Sequence, residues 1–121
     1  HPRTKKILGE IKISSNRLKL ISPLSYFEFN YLVKNSFAVI TDSGGITEET
    51  TVMGIPCLTI RDNTERPETI SIGTNELVGK DALKLKDFMK KLFLGKWKRG
   101  SIPNLWDGKS SKRIVEVLIN L

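Results

Sequence analysis

The chain has 121 residues, 39% of them hydrophobic, which is enough for one domain with one core. A single cysteine excludes an intrachain disulfide, and a single histidine argues against a zinc site, so we expect no metal. There is no signal peptide, and no apolar run approaches the roughly 20 residues of a bilayer span, so we expect a cytoplasmic protein without a membrane partner. The net charge is +7, and much of the excess follows Gly79 without a recognition motif or interleaved aromatic residues, so we expect exposed helical lysines and no nucleic-acid partner.

Short apolar runs alternate along the chain with helical periods. Helices are predicted over residues 4–12, 25–35, 46–53 and 81–94, and from about Ser110 onward. Strands are predicted over residues 18–21, 37–40, 57–60 and 75–79. Strands that alternate with helices form βαβ units, so we predict an α/β fold, a Rossmann-like parallel sheet with flanking helices.

Local signals fix several helix ends. Ser25 and Asp81 are good N-caps for the helices that follow them. Gly54 can take the left-handed position that ends a helix, and Pro56 prevents continuation. The predicted helix over 46–53 is therefore bounded at its carboxyl end.

Three further side chains are expected to serve packing. Cys57 lies within an apolar run and is expected in the core, where free cysteines are usually inert. Residues 95–109 are predicted to form an irregular loop, in which Trp97 and Trp106 are expected to anchor local packing rather than stack on a ligand.

A glycine-containing segment, TDSGG, lies directly between a predicted strand and a predicted helix. Ligands of open parallel sheets bind beyond the carboxyl ends of the strands, where this segment would lie. Gly44 and Gly45 allow close approach of the backbone and positive φ angles, a helix start offers free N–H groups, and Ser43 adds a hydroxyl. An anion is the natural ligand, although the spacing alone fits a simple turn equally well.

Glu48 and Glu49 argue against a bare phosphate, which they would repel. A nucleotide resolves the conflict, since its diphosphate can lie over the N–H groups while one glutamate accepts hydrogen bonds from a sugar diol. The other glutamate would then be a solvated helix residue.

A second loop, RDNTERPETI, follows the next strand and should lie beside the glycine segment. Arg66 precedes Pro67 and is therefore held extended, from where its guanidinium can bind a diphosphate. The alternative for Arg66 is a salt bridge with Asp62 or Glu65. Glu68 could cap a short helix.

Together these segments resemble the C-terminal part of non-hydrolysing UDP-N-acetylglucosamine 2-epimerases. The matching motifs are TDSGG with EE, then G-x-P, then RDNTERPE, GTN and LVG, all between Thr41 and Gly79. The resemblance implies a two-lobed enzyme of the glycogen-phosphorylase (GT-B) type. Residues 1–121 would form a single partial domain, its C-terminal UDP-binding lobe, incomplete here.

The resemblance also implies which residues contact UDP: Phe29, Ser43, Gly44, Gly45, Glu49 and Arg66. Phe29 would stack on uracil, whereas its sequence context alone suggests a core residue. The serine and the two glycines would hold the diphosphate together with Arg66. Glu49, and not Glu48, would bind the ribose hydroxyls.

The family interconverts UDP-GlcNAc and UDP-ManNAc by eliminating UDP and adding it back, without a cofactor. Its acid–base groups lie in segments that have no counterpart here, so we expect no catalytic residue in this chain. His1 resembles a histidine that contacts a regulatory UDP-GlcNAc in some bacterial members, and we predict at most that role for it.

A chain that begins at His1 without methionine is expected to be a fragment, lacking the N-terminal lobe and inactive alone. The full-length enzyme would be a homodimer. Two alternatives remain, the donor lobe of a GT-B glycosyltransferase and a non-catalytic nucleotide-binding module.

Overall fold

The computed structural model describes residues 2–11 and 15–121. Helices and strands alternate over residues 26–93, as predicted for this part of the chain. The helices are α1 (Pro2–Glu10), α2 (Tyr26–Lys34), α3 (Gly44–Met53), α4 (Glu68–Ser71), α5 (Ala82–Phe93) and α6 (Ser110–Ile119). The strands are β1 (Val39–Thr41), β2 (Cys57–Thr59) and β3 (Asn75–Leu77).

The three strands form one parallel sheet in the order β1-β2-β3. Ile40 pairs with Leu58, and Leu58 pairs with Glu76, so β2 lies in the centre. Each residue of β2 is buried, as expected for a parallel strand that is covered on both faces. The predicted α/β class, with a parallel sheet and flanking helices, is confirmed.

The strand predicted over residues 18–21 is wrong. These residues form no strand, and Leu20 and Ile21 are 68% and 63% exposed. An apolar run forms a strand only where a neighbouring strand offers free N–H and C=O groups, and no described strand lies beside this run. The apolar pattern by itself does not identify a pairing partner.

The predicted helix ends are confirmed. Ser25 and Glu28 form a reciprocal capping box at the start of α2, and the Ser25 hydrogen bonds lower the pKa of the Glu28 carboxyl. Asp81 accepts hydrogen bonds from the N–H groups of Leu83 and Lys84. Gly54 ends α3 in the left-handed region, with φ 71°.

The core contains more hydroxyl groups than a typical apolar core. Its buried apolar residues are Val33, Cys57, Leu58, Val78 and Leu92. Its buried polar residues are Thr47, Thr50, Thr51, Thr59, Thr69, Thr74 and Asn75. Four of these threonine hydroxyls donate to backbone carbonyls, and the Thr59 hydroxyl donates to the side-chain oxygen of Asn75, which compensates for their removal from water.

Cys57 and Trp97 serve packing as predicted. Cys57 is fully buried, and burial raises the pKa of its thiol. The indole N–H of Trp97 donates to the carbonyl of Thr74 at 2.9 Å, and its ring meets Phe88 edge-on. The 95–109 loop is thereby fixed to β3 and α5.

The lysines of α5 are exposed, so the predicted solvated helix face is confirmed. Leu92 is the buried residue of this helix, which lies against the rest of the protein along one face. Within residues 2–11 and 15–121, every helix is too short or too polar to pass through a bilayer.

Candidate functional site

The glycine segment connects β1 to the amino end of α3. The helix begins at Gly44, two residues earlier than predicted, so both glycines lie in its first turn. Ser43 is the N-cap residue, with φ −89° and ψ 126°, but its side chain makes no capping hydrogen bond. The first N–H groups of α3 consequently have no acceptor within the helix and no serine cap.

The glycines supply open space rather than unusual backbone angles. Gly44 and Gly45 do not use the positive φ angles that glycine allows; among the described residues, the glycines with positive φ are Gly54, Gly79, Gly95 and Gly108. A Cβ atom added at Gly45 would meet no protein atom within 4 Å. The amino end of α3 is therefore open to an approaching anion.

Arg66 reaches α3 from the second loop. Its Nε–H donates to a carboxylate oxygen of Glu48, and this hydrogen bond raises the pKa of the guanidinium. The alternative partners considered for Arg66, Asp62 and Glu65, are not the ones it takes. Both side chains of the pair are substantially exposed, at 52% for Arg66 and 37% for Glu48.

Glu65 is instead engaged by Arg61. The guanidinium of Arg61 lies 2.8 Å from the Glu65 carboxylate, and this hydrogen bond lowers the pKa of Glu65. The pair lies beside the glycine segment, since a Cβ atom at Gly44 would be 3.5 Å from Glu65 Oε2. The Arg61–Glu65 ion pair thus lies at the amino end of α3, with the carboxylate nearer to the Cβ position of Gly44 than the guanidinium, which is 4.0 Å away.

A cleft of about 500 Å³ lies between α2, α3, α4 and the 95–109 loop. Its lining is Tyr26, Glu48, Glu49, Val52, Met53, Arg66, Glu68 and Trp106. The structure therefore brings together Glu49 and Arg66, as predicted for a nucleotide site. Two aromatic rings and two apolar side chains complete a surface that suits a flat, partly apolar ligand.

Several of these lining residues were not identified from the sequence. Val52 lies three residues after Glu49 on α3, so helical spacing could have indicated it. Trp106 was interpreted as a packing anchor, but its half-buried ring lines the cleft. Its approach depends on the path of the 95–109 loop, for which the sequence carries no periodic signal.

Phe29 lies outside this cleft. It is 37% exposed and lines a neighbouring groove with residues that include Thr41 and Ile46. Thr41 and Ile46 flank the glycine segment, so Phe29 is placed at one side of the site while Glu49 and Arg66 are placed at another. The roles of Phe29, Ser43, Gly44, Gly45, Glu49 and Arg66 remain predictions, and His1 lies outside the described residues.

Residues 1–119 match the profile of the family described as UDP-N-acetylglucosamine 2-epimerase. The UDP-N-acetylglucosamine 2-epimerase of Methanocaldococcus jannaschii is 44% identical over 98% of this chain and 33% of that protein. The enzyme of the same name from Methanococcus maripaludis is 42% identical over 98% of this chain and 33% of that protein. The chain thus spans about a third of the length of these relatives.

Solved structures agree with the sequence relatives. The M. jannaschii UDP-GlcNAc 2-epimerase in complex with UDP-GlcNAc and UDP superimposes with a TM-score of 0.76 at 44% identity, covering 100% of this chain and 34% of that one. The S. aureus MnaA–UDP co-structure gives a TM-score of 0.82 at 32% identity, over 100% of this chain and 34% of that one. The expected fold, part of a GT-B-type enzyme, is confirmed by these likenesses. The chain belongs to the UDP-N-acetylglucosamine 2-epimerase family.

Proposed function

We propose that this chain is the UDP-binding part of a UDP-N-acetylglucosamine 2-epimerase, an isomerase that interconverts UDP-GlcNAc and UDP-ManNAc. The observation that carries the proposal is one cleft that the Glu49 carboxylate and the Arg66 guanidinium line together. Glu49 lies on α3, the helix whose amino end has no serine side-chain cap. The match to the epimerase family favours this function over a GT-B glycosyltransferase or a non-catalytic nucleotide-binding module.

Each feature matches one part of UDP. The Ser43 hydroxyl and the N–H groups of Gly44 and Gly45 would hold the diphosphate at the positive end of the helix dipole. Arg66 would add a charge-assisted hydrogen bond to a diphosphate oxygen. Glu49 would accept hydrogen bonds from the ribose hydroxyls, and Phe29 would stack on uracil.

The role of this site in the reaction would be to retain the leaving group. The proposed reaction eliminates UDP and adds it back to the other face of the sugar intermediate. Charge develops on the diphosphate as the bond to the sugar breaks, so the helix dipole and Arg66 would stabilise that charge and keep UDP in place. We propose that the acids and bases that move protons on the sugar lie in the remaining two thirds of the enzyme.

The binding claim is tested by calorimetric titration with UDP. Arg66→Ala should weaken UDP binding by about tenfold or more, because a hydrogen bond to a charged group is worth about 1.5–3 kcal/mol. Lys112→Ala is the control, since Lys112 also forms an exposed ion pair, with Glu116, and does not line the cleft. Equal UDP affinity in Arg66→Ala and the unchanged chain would contradict the proposal.

We propose that the complete enzyme is a cytoplasmic homodimer and that the 121-residue chain does not epimerise alone. Incubation of the chain with UDP-GlcNAc should yield no UDP-ManNAc by NMR, whereas a chain extended to the length of its relatives should produce it. Turnover by the unextended chain would contradict the proposed division of binding and proton transfer. Sedimentation of the extended chain as a monomer would contradict the dimer.

A further inference from the structure

A buried amide links the central strand to α4. Asn75 begins β3 and is fully buried. Its side-chain oxygen accepts a hydrogen bond of 2.7 Å from the Thr59 hydroxyl of β2. Its side-chain nitrogen donates to the hydroxyl of Thr69 on α4 at 3.2 Å. The Asn75 amide therefore connects strand β2 to helix α4 through side-chain hydrogen bonds.

Thr69 carries the connection on to Arg66. Its hydroxyl donates to the backbone carbonyl of Arg66 at 2.7 Å, and its backbone N–H donates to the same oxygen at 3.0 Å. Thr69 is itself fully buried. A continuous chain of hydrogen bonds thus runs from β2, through Asn75 and Thr69, to the peptide group that follows Arg66.

This arrangement fixes the backbone from which Arg66 extends. The ring of Pro67 fixes the φ angle of Pro67, and the two hydrogen bonds from Thr69 hold the carbonyl of Arg66. The guanidinium is comparatively free, since the side chain of Arg66 is 52% exposed and meets Glu48 at the cleft. The rigid part of the residue is therefore its backbone, and the buried chain of hydrogen bonds supplies that rigidity.

A purely apolar core would not need this amide. A leucine, which has the same branched arrangement of side-chain heavy atoms, would avoid the desolvation cost that a buried amide incurs. What the amide adds is direction, because hydrogen bonds specify one orientation of α4 relative to the sheet. We propose that Asn75 and Thr69 are positioning residues for Arg66, which deepens the proposed function and rests on its assignment of Arg66 to the diphosphate.

The test compares UDP with uridine, which lacks the phosphates. Thr69→Val breaks the chain of hydrogen bonds with almost no change in volume, and Asn75→Leu breaks it with a larger apolar side chain of the same branching. Each should weaken UDP binding by about threefold to tenfold, the equivalent of one net hydrogen bond, while uridine binding stays unchanged. Thr69→Ser keeps the hydroxyl and should restore UDP affinity to that of the unchanged chain.

A double mutant separates positioning from general loosening of the fold. Once Arg66→Ala has removed the guanidinium, adding Thr69→Val should weaken UDP binding no further. Thr74→Val is the matched control, because the buried Thr74 hydroxyl donates to the Ile55 carbonyl and has no part in the chain leading to Arg66. This variant should bind UDP as the unchanged chain does.

Each outcome decides the proposal. Equal losses for UDP and uridine, or an undiminished effect of Thr69→Val beside Arg66→Ala, would overturn it. If Arg66→Ala weakens UDP binding but Asn75→Leu and Thr69→Val do not, only the positioning role fails. If Arg66→Ala itself has no effect, the proposed diphosphate contact fails and the positioning role fails with it. Should Asn75→Leu not fold, the near-isosteric Thr69→Val carries the test.

Discussion

Arg66 has an anionic partner within the chain. Its guanidinium donates to Glu48, one residue before the glutamate that is proposed to bind ribose. A diphosphate that reaches Arg66 must share or replace this carboxylate. The negative charge of Glu48 also lies on the helix whose amino end would hold the phosphates. We therefore expect Glu48 to oppose diphosphate binding while its ion pair keeps the arginine at the cleft.

Glu48→Gln should consequently strengthen UDP binding. Removing an exposed charge of this kind is worth up to about 1 kcal/mol, so we expect an increase in affinity of about twofold to fivefold. Calorimetry with UDP at low and high salt measures the gain, which should shrink as salt screens the charge.

Glu116→Gln is the control for this change, because Glu116 forms an exposed ion pair with Lys112 on α6. It should leave UDP affinity unchanged. A weaker affinity in Glu48→Gln would show that the pair holds Arg66 in its productive position more than it competes for it.

For individual residues, the sequence predicted which side chains lie at the site better than it predicted which side chains they contact. Chain order placed Glu49 and Arg66 at the same edge of the sheet, and the structure brings both to one cleft. The Glu48–Arg66 pair could not be foreseen, since it joins side chains 18 positions apart on different elements. Their meeting depends on the rotation of α3 about its axis, which no local pattern specifies.

Helix boundaries could be predicted from the sequence, because they depend on hydrogen bonds between residues that are close together in the chain. The side chains of Ser25 and Asp81 cap backbone N–H groups within three residues of themselves, so the sequence alone sufficed to place these ends. A strand, in contrast, needs a second strand to satisfy its backbone N–H and C=O groups. Residues 18–21 carry the apolar pattern of a strand but lack a described neighbour with which to pair.

Gly54 gives a direct test of the α3 end. Its φ of 71° is unfavourable for a residue with a Cβ atom, although a Cβ there would meet nothing within 4 Å. Gly54→Ala should therefore lower the free energy of unfolding by about 1 kcal/mol through backbone strain alone. Urea denaturation followed by circular dichroism measures the change.

Gly9→Ala is the matched control for the α3 end. Gly9 also has open space around it, but it lies inside α1 without a positive φ. The substitution should leave the free energy of unfolding unchanged or raise it slightly, because alanine has a higher helix propensity than glycine. A loss of stability at Gly9 equal to that at Gly54 would contradict the strain argument.

Across the whole molecule, buried side chains are unevenly distributed among the elements. The sheet, α3 and α4 enclose the buried threonines, whereas α6 has no buried residue, and Val117, Leu118 and Ile119 on it are each more than 60% exposed. The part of the chain that bears the site therefore has a core of its own, to which α6 adds no buried side chain.

Ending the chain after Lys109 should leave that core intact. Removal of α6 breaks exposed interactions, such as the Arg113–Asp107 pair, and we expect the free energy of unfolding to change by less than about 0.5 kcal/mol. Leu92→Ala is the comparison, since Leu92 is 4% exposed and its truncation should cost about 2 kcal/mol or more. A destabilisation of comparable size on removing α6, measured by urea denaturation, would show that this helix contributes to the core.

The threonine-rich interior has a consequence for how uniquely the chain folds. Apolar surfaces tolerate a helix that slides or rotates slightly, because one methyl contact replaces another. Here a shifted α3 or α4 would break hydrogen bonds that cross between elements, such as the one from Thr74 to the Thr50 carbonyl of α3 and the one from Asn75 to the Thr69 hydroxyl of α4. Each buried group left without a partner costs about 1–3 kcal/mol. Alternative packings are therefore penalised several times over. The interior selects one alignment of the site against its near neighbours, even where their total buried area would be the same.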